Sequence, residues 1–405
     1  MSENRIGLYG VGGLYNYGCE AIVRGTTKLI RRVAPEASIR YFTPRADEDR
    51  RQVADLGIDV VQMPSTKRSL LLKVLGKASG MLTVPFDATG ESYETVLDGC
   101  DILISIGGDI YTIPKYVRRK SRYPYFNRLV RLGQLAKERG VREVIMGASI
   151  GPFGSFERAV DYYADHLKTC EAIFCRERVT LEYLNSIGVS SNTVLMPDPA
   201  FFVENPAGLS CYEDARYLGI NLSPLSLREL QGRVSEDAIK QLASQVEDLM
   251  DEMGLPALLV PHVFAPHAGD NDESFLRMVL EKLDETHRRR CELVTPKSFI
   301  DTKRYLAQCQ LVVAARMHCA VNAICVGIPT VFLSYSKKSI GMCELVYGSR
   351  DWVVSLGDAC GLKKAAVSLY TDKGAVHEHL RKRVKELKGR GQNKSAFAEL
   401  ARAMQ

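Results

Sequence analysis

The residue types best suited to chemistry lie in the second half of the chain, just after two apolar runs. LVVAA is followed by Arg316, Met317 and His318, and TVFLS is followed by a polar segment that ends at Lys338. Side chains two apart in an extended segment point the same way, so we expect Arg316 and His318 to project together while Met317 faces the core. With Lys338 they would form a cationic pocket containing one group that titrates near neutral pH. Such a pocket favours a small anionic substrate and a proton transfer; a buried structural histidine beside solvated lysines is the alternative interpretation.

Three glycine-rich segments follow apolar runs in the first half of the chain. In a parallel α/β sheet, ligands bind beyond the carboxyl ends of the strands, where glycine lets the backbone approach them closely. The first segment contains Asn16 and Glu20, the second is Gly107-Gly108-Asp109, and the third contains Ser149. One such segment is equally well explained as a structural turn, but three at one sheet edge predict a binding face. The first segment lacks the GxGxxG spacing of a dinucleotide site.

Two further candidates follow apolar runs of their own. Arg176 comes directly after AIFC, and His262 follows ALLVP. Both are therefore expected at the carboxyl ends of strands. A solvated charge at a helix start is the alternative for Arg176, and a packing role is the alternative for His262.

Short apolar runs alternate with longer segments of helical period along the whole chain, which predicts parallel sheets covered by helices on both faces. We therefore expect an α/β protein with two doubly wound, Rossmann-like domains and a cleft between them. Three prolines in PDPAFFVENPAGLSCYED interrupt the alternation and mark a boundary. The predicted domains are residues 1–207 and 208–405, and the second ends in a basic helical segment.

Composition restricts the class of protein. The 405 residues are 46% hydrophobic and 25% charged, with a formal net charge of +6, which is typical of a globular chain and excludes collagen, coiled coil and wholesale disorder. Basic residues are not concentrated as a nucleic-acid site requires, so no nucleic-acid partner is expected. The 11 cysteines include no CxxC pair, so we predict reduced thiols and no metal site. No apolar stretch reaches the ~18 residues of a spanning helix and no signal peptide is recognisable, so we expect a cytoplasmic protein.

The order and spacing of these motifs resemble the polysaccharide pyruvyl transferase family over most of the chain. The motifs that carry the resemblance are Asn16 with Gly18-x-Glu20, Gly107-Gly108, Ser149-Ile-Gly151-Pro152, Arg176-Glu177, Pro197-Asp198-Pro199, Arg316-x-His318, Gly327-x-Pro329, and Lys338 twenty residues after His318. Two positions depart from the family pattern: Cys19 stands where many relatives have Asp, and Asp109 stands where they have a third glycine. The second departure bears on contacts with the acceptor.

The resemblance implies a GT-B-like fold and a ketal-pyruvyltransferase, which moves pyruvate from phosphoenolpyruvate to a sugar in bacterial polysaccharide, exopolysaccharide or capsule biosynthesis. It also implies a lipid-linked acceptor, with residues 1–207 on the acceptor side and 208–405 carrying the donor site. No cofactor beyond phosphoenolpyruvate as co-substrate is expected. By resemblance, His318 is the acid/base residue, and Arg316, Lys338 and Arg176 bind the donor. The residues expected at the acceptor or elsewhere in the cleft are Asn16, Glu20, Gly107, Gly108, Asp109, Ser149 and His262.

Two other functions remain open at this stage. A nucleotide-sugar glycosyltransferase of the same fold would need an acidic residue for the ribose, and Glu344, the nearest one, follows Lys338 too far along its helix. A carbohydrate-binding subunit of an envelope-synthesis complex would bind sugar without turnover.

The stretch 67–82 interleaves basic and apolar residues. On a helix, its apolar side chains would form one stripe flanked by Lys73 and Lys77. Such a helix predicts peripheral contact with an anionic membrane surface, near a lipid-linked acceptor. An amphipathic helix packed on the first domain is the alternative.

Overall fold

The structure, a computed structural model, describes residues 4–63, 95–108, 110–113, 127–154, 157–334, 338–389, 391 and 393–405. These residues divide into two compact units. Unit 1 comprises Met1–Gly13, Thr26–Met196 and Lys394–Gln405, and unit 2 comprises Leu14–Gly25 and Pro197–Asn393.

Unit 1 contains a seven-stranded parallel sheet in the order β3-β2-β1-β4-β5-β6-β7. Its strands are β1 (Arg5–Tyr9), β2 (Ser38–Thr43), β3 (Asp59–Gln62), β4 (Ile102–Ile106), β5 (Arg142–Met146), β6 (Ala172–Cys175) and β7 (Thr193–Leu195). The helices of this half of the chain are α1 (Tyr17–Val33), α2 (Ala46–Gln52), α3 (Arg128–Glu138), α4 (Glu157–Leu167) and α5 (Arg178–Ser186). The first residues of α1 belong to unit 2.

Unit 2 contains a six-stranded parallel sheet in the order β10-β9-β8-β11-β12-β13. Its strands are β8 (Tyr217–Asn221), β9 (Ala257–Leu259), β10 (Cys291–Leu293), β11 (Cys309–Ala314), β12 (Thr330–Ser334) and β13 (Val353–Ser355). Its helices are α6 (Pro224–Gln231), α7 (Glu236–Met253), α8 (Asp272–Lys282), α9 (Glu285–Arg288), α10 (Phe299–Leu306), α11 (Met317–Cys325), α12 (Lys338–Tyr347), α13 (Ala359–Thr371) and α14 (Lys373–Lys388). The last helix, α15 (Lys394–Ala403), belongs to unit 1.

Helix α7 shows how the sequence determines these elements. It begins after Ser235, whose Oγ accepts a hydrogen bond from the Ala238 N–H at 3.3 Å, and it ends before Gly254, whose φ of 65° is left-handed. Its buried side chains recur at three- and four-residue spacing and join the hydrophobic core of unit 2. The apolar stripe thus positions the helix, and the two caps set its length.

The strand order of each sheet reverses at one point, between β1 and β4 in unit 1 and between β8 and β11 in unit 2. Loops on the two sides of such a point diverge and leave a crevice, where doubly wound sheets bind ligands. Gly107 and Gly108 directly follow β4, and Arg316 follows β11 after one residue. In each unit, predicted site residues therefore lie at the switch point of the sheet.

The prediction of two doubly wound α/β sheets is confirmed, but the chain is divided differently from 1–207 and 208–405. Tyr17 N donates to His262 O at 3.1 Å, and Phe264 N donates to Tyr15 O at 2.8 Å, so the segment 14–25 is paired within unit 2. Helix α15 packs against β6 and β7 of unit 1. Both segments are assigned by long-range pairing, which no local pattern of residues encodes.

The described helices include none with the length and apolar composition needed to cross a membrane. The stretch 67–82, predicted to be an amphipathic helix, lies outside the described residues.

Candidate functional site

The centre of the predicted site is the start of α11. Arg316 is its N-cap residue, with φ −92° and ψ 122°, and His318 lies in its first turn. The expectation of an extended segment with Met317 in the core is wrong, because the helix begins at Met317 and that side chain is only half-buried. Arg316 and His318 consequently reach different partners.

Arg316 is held by two carboxylates. Its Nε donates to Asp272 Oδ1 at 3.1 Å, and its Nη2 donates to Asp272 Oδ1 at 2.7 Å and to Asp270 Oδ1 at 2.5 Å. Its backbone N–H donates to Asn221 Oδ1 at 2.9 Å, at the end of β8. Burial lowers the pKa of the Arg316 guanidinium, but the charges of Asp272 and Asp270 outweigh burial and raise it above its usual value. Arg316 thereby ties the start of α11 to the neighbouring strand and to α8.

Asp272 connects this ion pair to the loop after β9. The residue is fully buried at the start of α8, and its Oδ2 accepts hydrogen bonds from the backbone N–H groups of His262 and Val263, each at 3.1 Å. Burial raises the pKa of Asp272 against the opposing effect of Arg316. One arginine–aspartate pair therefore positions two helix starts and the loop that carries His262.

His318 forms a dyad with Asp198. His318 Nε2 lies 3.2 Å from Asp198 Oδ2; the Asp198 side chain is fully buried, whereas 13% of the His318 side chain is exposed. Asp198 Oδ1 accepts a hydrogen bond from the Ala200 N–H at 2.9 Å, which fixes the orientation of the carboxylate. Because an ionised carboxylate only accepts, Nε2 carries a proton, and Nδ1 is the nitrogen left for proton transfer.

Gly18 leaves space beside His318 Nδ1. A Cβ at position 18 would lie 2.6 Å from His318 Nδ1 and 3.1 Å from Asn16 Oδ1. Asn16 Oδ1 in turn accepts a hydrogen bond from the Gly18 N–H at 3.0 Å. The predicted residue Asn16 therefore lies next to the dyad, and this close approach requires glycine at position 18.

Glu20 is fully buried and is engaged within the fold. Its Oε1 accepts a hydrogen bond from Arg24 Nε at 2.7 Å, and its Oε2 accepts one from the Phe299 N–H at 2.6 Å, at the start of α10. These contacts attach the beginning of α1 to α10. The predicted ligand contact of Glu20 is thus replaced by a structural role in this arrangement.

His262 packs edge-on against Tyr17 and Phe299, with ring centroids 5.8 Å from each. Its Nε2 is buried and has no hydrogen-bond partner within the described part of the chain. Burial lowers the pKa of His262 well below its usual value, and the charges of His318 and Arg316 lower it further. His262 is therefore a neutral packing residue close to the dyad.

A second group of predicted residues meets in unit 1. Arg176 is buried, and its Nε and Nη2 donate to Ser149 Oγ at 3.1 and 2.6 Å. Ser149 N donates to Gly108 O at 2.7 Å, and a Cβ on Gly108 would lie 3.7 Å from Arg176 Nη1. Residues that follow β4, β5 and β6 thus form one cluster, with Gly107 at the end of β4.

Two predicted residues have no described side chain. Asp109 lies outside the described residues, and Lys338 begins α12 but its side chain is likewise outside the description. Their predicted contacts with acceptor and donor stay predictions.

The carboxylates of the site were missed as functional residues by sequence reasoning. Asp198 lies 120 residues before His318, and Asp272 lies 44 residues before Arg316. Asp198 lies between two prolines in a motif to which the sequence assigned no role. Asp270 and Asp272 look like the acidic residues that commonly occur at the start of a helix. No local signal indicates which histidine or arginine these carboxylates will meet.

Comparisons with known proteins agree with this architecture. The family model for polysaccharide pyruvyl transferases matches residues 16–337. Among solved structures, Anabaena HepE in complex with UDP and glucose is similar over 99% of this chain and 100% of its own, at 12% identity and TM-score 0.60. UDP-GlcNAc 2-epimerase from Neisseria meningitidis bound to UDP-GlcNAc is similar over 98% of this chain and 99% of its own, at 10% identity and TM-score 0.57. Sucrose-phosphate synthase from Thermosynechococcus elongatus is similar over 99% of this chain and 98% of its own, at 14% identity and TM-score 0.61. At these identities the similarity shows the fold alone, which is GT-B, as predicted.

Proposed function

Because the chain belongs to the polysaccharide pyruvyl transferase family, we propose that it transfers the pyruvyl group of phosphoenolpyruvate to two hydroxyl groups of a sugar and forms a ketal. The observation that carries this proposal is the His318–Asp198 dyad, a partly exposed imidazole 3.2 Å from a buried carboxylate. Phosphoenolpyruvate becomes electrophilic at C2 when its methylene carbon is protonated, and a positioned histidine supplies such a proton.

In the proposed reaction, protonated His318 donates from Nδ1 to the methylene carbon, and C2 becomes an oxocarbenium-like electrophile. One sugar hydroxyl attacks C2, and its proton returns to His318. Phosphate then leaves, the second hydroxyl closes the ring, and its proton leaves with the phosphate. Asp198 keeps the imidazole oriented throughout and balances its positive charge when Nδ1 is protonated.

We assign Arg316 a positioning role instead of the direct contact with the donor that the family resemblance implies. Its guanidinium donates to Asp272 and Asp270, and breaking these contacts would leave the buried carboxylate of Asp272 without its partner. Arg176 and Lys338 remain the predicted donor ligands. The first turn of α11, which carries His318, adds the partial positive charge of a helix N-terminus for an anionic donor.

The proposed acceptor is a lipid-linked sugar of bacterial polysaccharide synthesis, met by a cytoplasmic enzyme at the inner face of the membrane. Support comes from the basic and apolar pattern of residues 67–82. The UDP and glucose bound by HepE support a sugar ligand for this fold. Asn16, beside the dyad, and the Gly108–Ser149 cluster are the proposed acceptor contacts.

The test supplies the full chain with phosphoenolpyruvate and a panel of lipid-linked sugars that differ in their hydroxyl pairs. We expect phosphate release that depends on the acceptor, together with an acceptor mass gain of pyruvic acid minus one water. A parallel arm replaces phosphoenolpyruvate with UDP-sugars. Release of UDP with transfer of the sugar would favour the nucleotide-sugar glycosyltransferase. Saturable sugar binding without turnover of either donor would favour the carbohydrate-binding subunit.

A further inference from the structure

Three side chains of metal-binding type meet in unit 1, near the end of the sheet opposite to Ser149 and Arg176. Glu143 lies near the start of β5, His166 lies in the last turn of α4, and Cys170 precedes β6. One ligand atom of each lies within 4.8 Å of the others. Glu143 Oε2 is 3.7 Å from His166 Nε2 and 3.9 Å from Cys170 Sγ, and all three residues are buried.

His166 is the feature of this cluster that the fold leaves unexplained. Both of its ring nitrogens are buried, and neither has a hydrogen-bond partner among the described residues. Buried polar groups of native proteins are nearly always paired, so an imidazole without any partner points to a missing ligand. The Tyr111 ring, stacked on His166 at 5.8 Å with an interplanar angle of 23°, orients the imidazole.

The two carboxylate oxygens of Glu143 have different neighbours. Its Oε1 accepts hydrogen bonds from the hydroxyls of Tyr9 and Tyr111, whereas its Oε2 faces His166 and Cys170. Hydrogen bonds to one carboxylate oxygen are the usual way in which outer groups orient a metal ligand. The tyrosines thus aim Oε2 at the histidine and the cysteine.

The distances from Glu143 Oε2 to the other two candidate ligand atoms are close to those around a tetrahedral ion. Zinc bonds of about 2.0–2.1 Å to nitrogen and oxygen and about 2.3 Å to sulfur place neighbouring ligands about 3.3–3.6 Å apart. The observed 3.7 and 3.9 Å therefore need only a small inward movement of the side chains. A mixed set of nitrogen, sulfur and oxygen donors suits Zn²⁺ better than it suits Mg²⁺ or Ca²⁺.

Glu143 is bordered by a glycine of α3 on one side and by a cavity. Gly133 of α3 faces the cluster, and a Cβ there would lie 2.0 Å from Glu143 Oε2 and 2.4 Å from His166 Cε1. A cavity of about 200 Å³, lined by Gly133, Glu143 and Thr169 among others, adjoins the cluster. Of the three candidate ligands, Glu143 lines this cavity.

We propose that Glu143, His166 and Cys170 bind a divalent transition-metal ion, with Zn²⁺ as the best match, and that the ion stabilises unit 1 by joining β5 to the connection between α4 and β6. The prediction of no metal site rested on the missing CxxC spacing, on the lack of a carboxylate cluster in the sequence and on a reaction that requires no metal. Glu143 is 27 residues from Cys170 and on another element, so no local sequence spacing indicates that the three residues meet. The site is separate from the dyad and does not depend on the proposed reaction.

The experiment loads the metal-free full chain with Co²⁺ and then with Zn²⁺. We expect one Co²⁺ per chain with a thiolate-to-cobalt charge-transfer absorption, displaced by Zn²⁺. Zn²⁺ at a hundredfold excess over its dissociation constant should raise Tm by roughly 5 °C. The group of Glu247, Asp284 and His287 is a competing set, but it contains no sulfur and gives no such absorption.

Cys170→Ala should abolish the absorption and the Zn²⁺-dependent rise in Tm. Cys175→Ala is the matched control, because Cys175 is a buried thiol of the same unit outside the cluster and should keep both signals. If Cys170→Ala does not fold, Glu143→Gln keeps the side-chain volume and should weaken Zn²⁺ binding at least tenfold. Wild-type protein without the absorption, or an absorption that survives in Cys170→Ala, would overturn the proposal.

Discussion

The two units each contain a histidine close to a buried carboxylate, and the two pairs differ in hydrogen bonding and in the exposure of the imidazole. His318 Nε2 is 3.2 Å from Asp198 Oδ2, within hydrogen-bond reach, and part of its ring is exposed. His166 Nε2 is 3.7 Å from Glu143 Oε2, beyond hydrogen-bond reach, and its ring is buried. Burial lowers the pKa of His166 to about 4 and raises that of Glu143 to about 7.

The difference shows that residue types alone do not determine the chemistry of such a pair. A histidine with one nitrogen engaged and an exposed edge is arranged for proton transfer. A neutral histidine with two unengaged nitrogens beside a thiol is arranged as a ligand.

The largest effect is expected for His318→Ala. Removal of the proposed acid/base group should lower kcat by ~10²–10⁴-fold while phosphoenolpyruvate binding stays measurable. Steady-state kinetics and donor titration provide the measurement. His379→Ala is the matched control, because His379 hydrogen-bonds a backbone carbonyl of the same unit at 3.0 Å and should leave kcat unchanged. A fully active His318→Ala enzyme would assign the dyad to structure.

Arg316→Ala should lower the free energy of unfolding by about 3–5 kcal/mol, because it leaves Asp272 buried without its partner. Urea unfolding provides the measurement. Arg304→Ala serves as the control, since Arg304 is half-exposed and its pair with Asp301 should contribute about 0–1 kcal/mol. If Arg316→Ala is instead as stable as the wild type and loses affinity for the donor, Arg316 binds the donor directly and the positioning role is wrong.

Asp198→Asn should lower kcat by roughly 10²-fold and change KM little, because the amide no longer balances the charge of His318. The amide oxygen can still accept the hydrogen bond from the Ala200 N–H, so the fold is expected to persist. Circular dichroism with full kinetics checks both expectations. An equal loss of stability and activity would indicate that Asp198 serves only as a cap.

Lys303→Met should stabilise the protein. Lys303 is fully buried on α10, its Nζ has no hydrogen-bond partner among the described residues, and burial lowers its pKa to about 8 from 10.5. Because the unfolded chain binds this proton more tightly, the cost is fully present below pH 8 and disappears as the pH rises toward 10.5. The substitution should therefore raise the free energy of unfolding by about 3 kcal/mol at pH 7. It should also abolish the increase in stability that the wild type shows between about pH 8 and pH 10.5.

Urea unfolding at several pH values measures the effect of Lys303→Met. Lys364→Met, at an exposed position of α13, should change stability by no more than about 0.5 kcal/mol. A stability profile of Lys303→Met that parallels the wild type would show that the buried lysine finds a partner in solution.

Gly18→Ala should lower kcat about tenfold, because its Cβ would lie 2.6 Å from His318 Nδ1 and displace the ring. Gly12→Ala is the control, since a Cβ there meets no atom within 4 Å. Both variants should unfold at nearly the same urea concentration as the wild type. Equal activity of the two alanine variants would show that Nδ1 needs no free space.

Much of the fold was predictable from local pattern. The runs AIFC and TVFLS became β6 and β12, because a fully buried parallel strand must be apolar on both faces. The start of α11 was predicted too late, just beyond His318 instead of at Met317. Because of this difference, Arg316 pairs with Asp270 and Asp272, whereas His318 pairs with Asp198.

The sequence by itself determined the α/β class, the positions of the strand ends and the residue types that follow them, because periodicity and glycine placement act over a few residues. Only the tertiary structure decided which carboxylate meets which cation. Asp198 and His318 are 120 residues apart, and Glu143 and Cys170 are 27 apart on different elements. Whether a buried side chain finds a hydrogen-bond partner depends on such long-range approach, and so do the charge and the chemistry of His318 and His166.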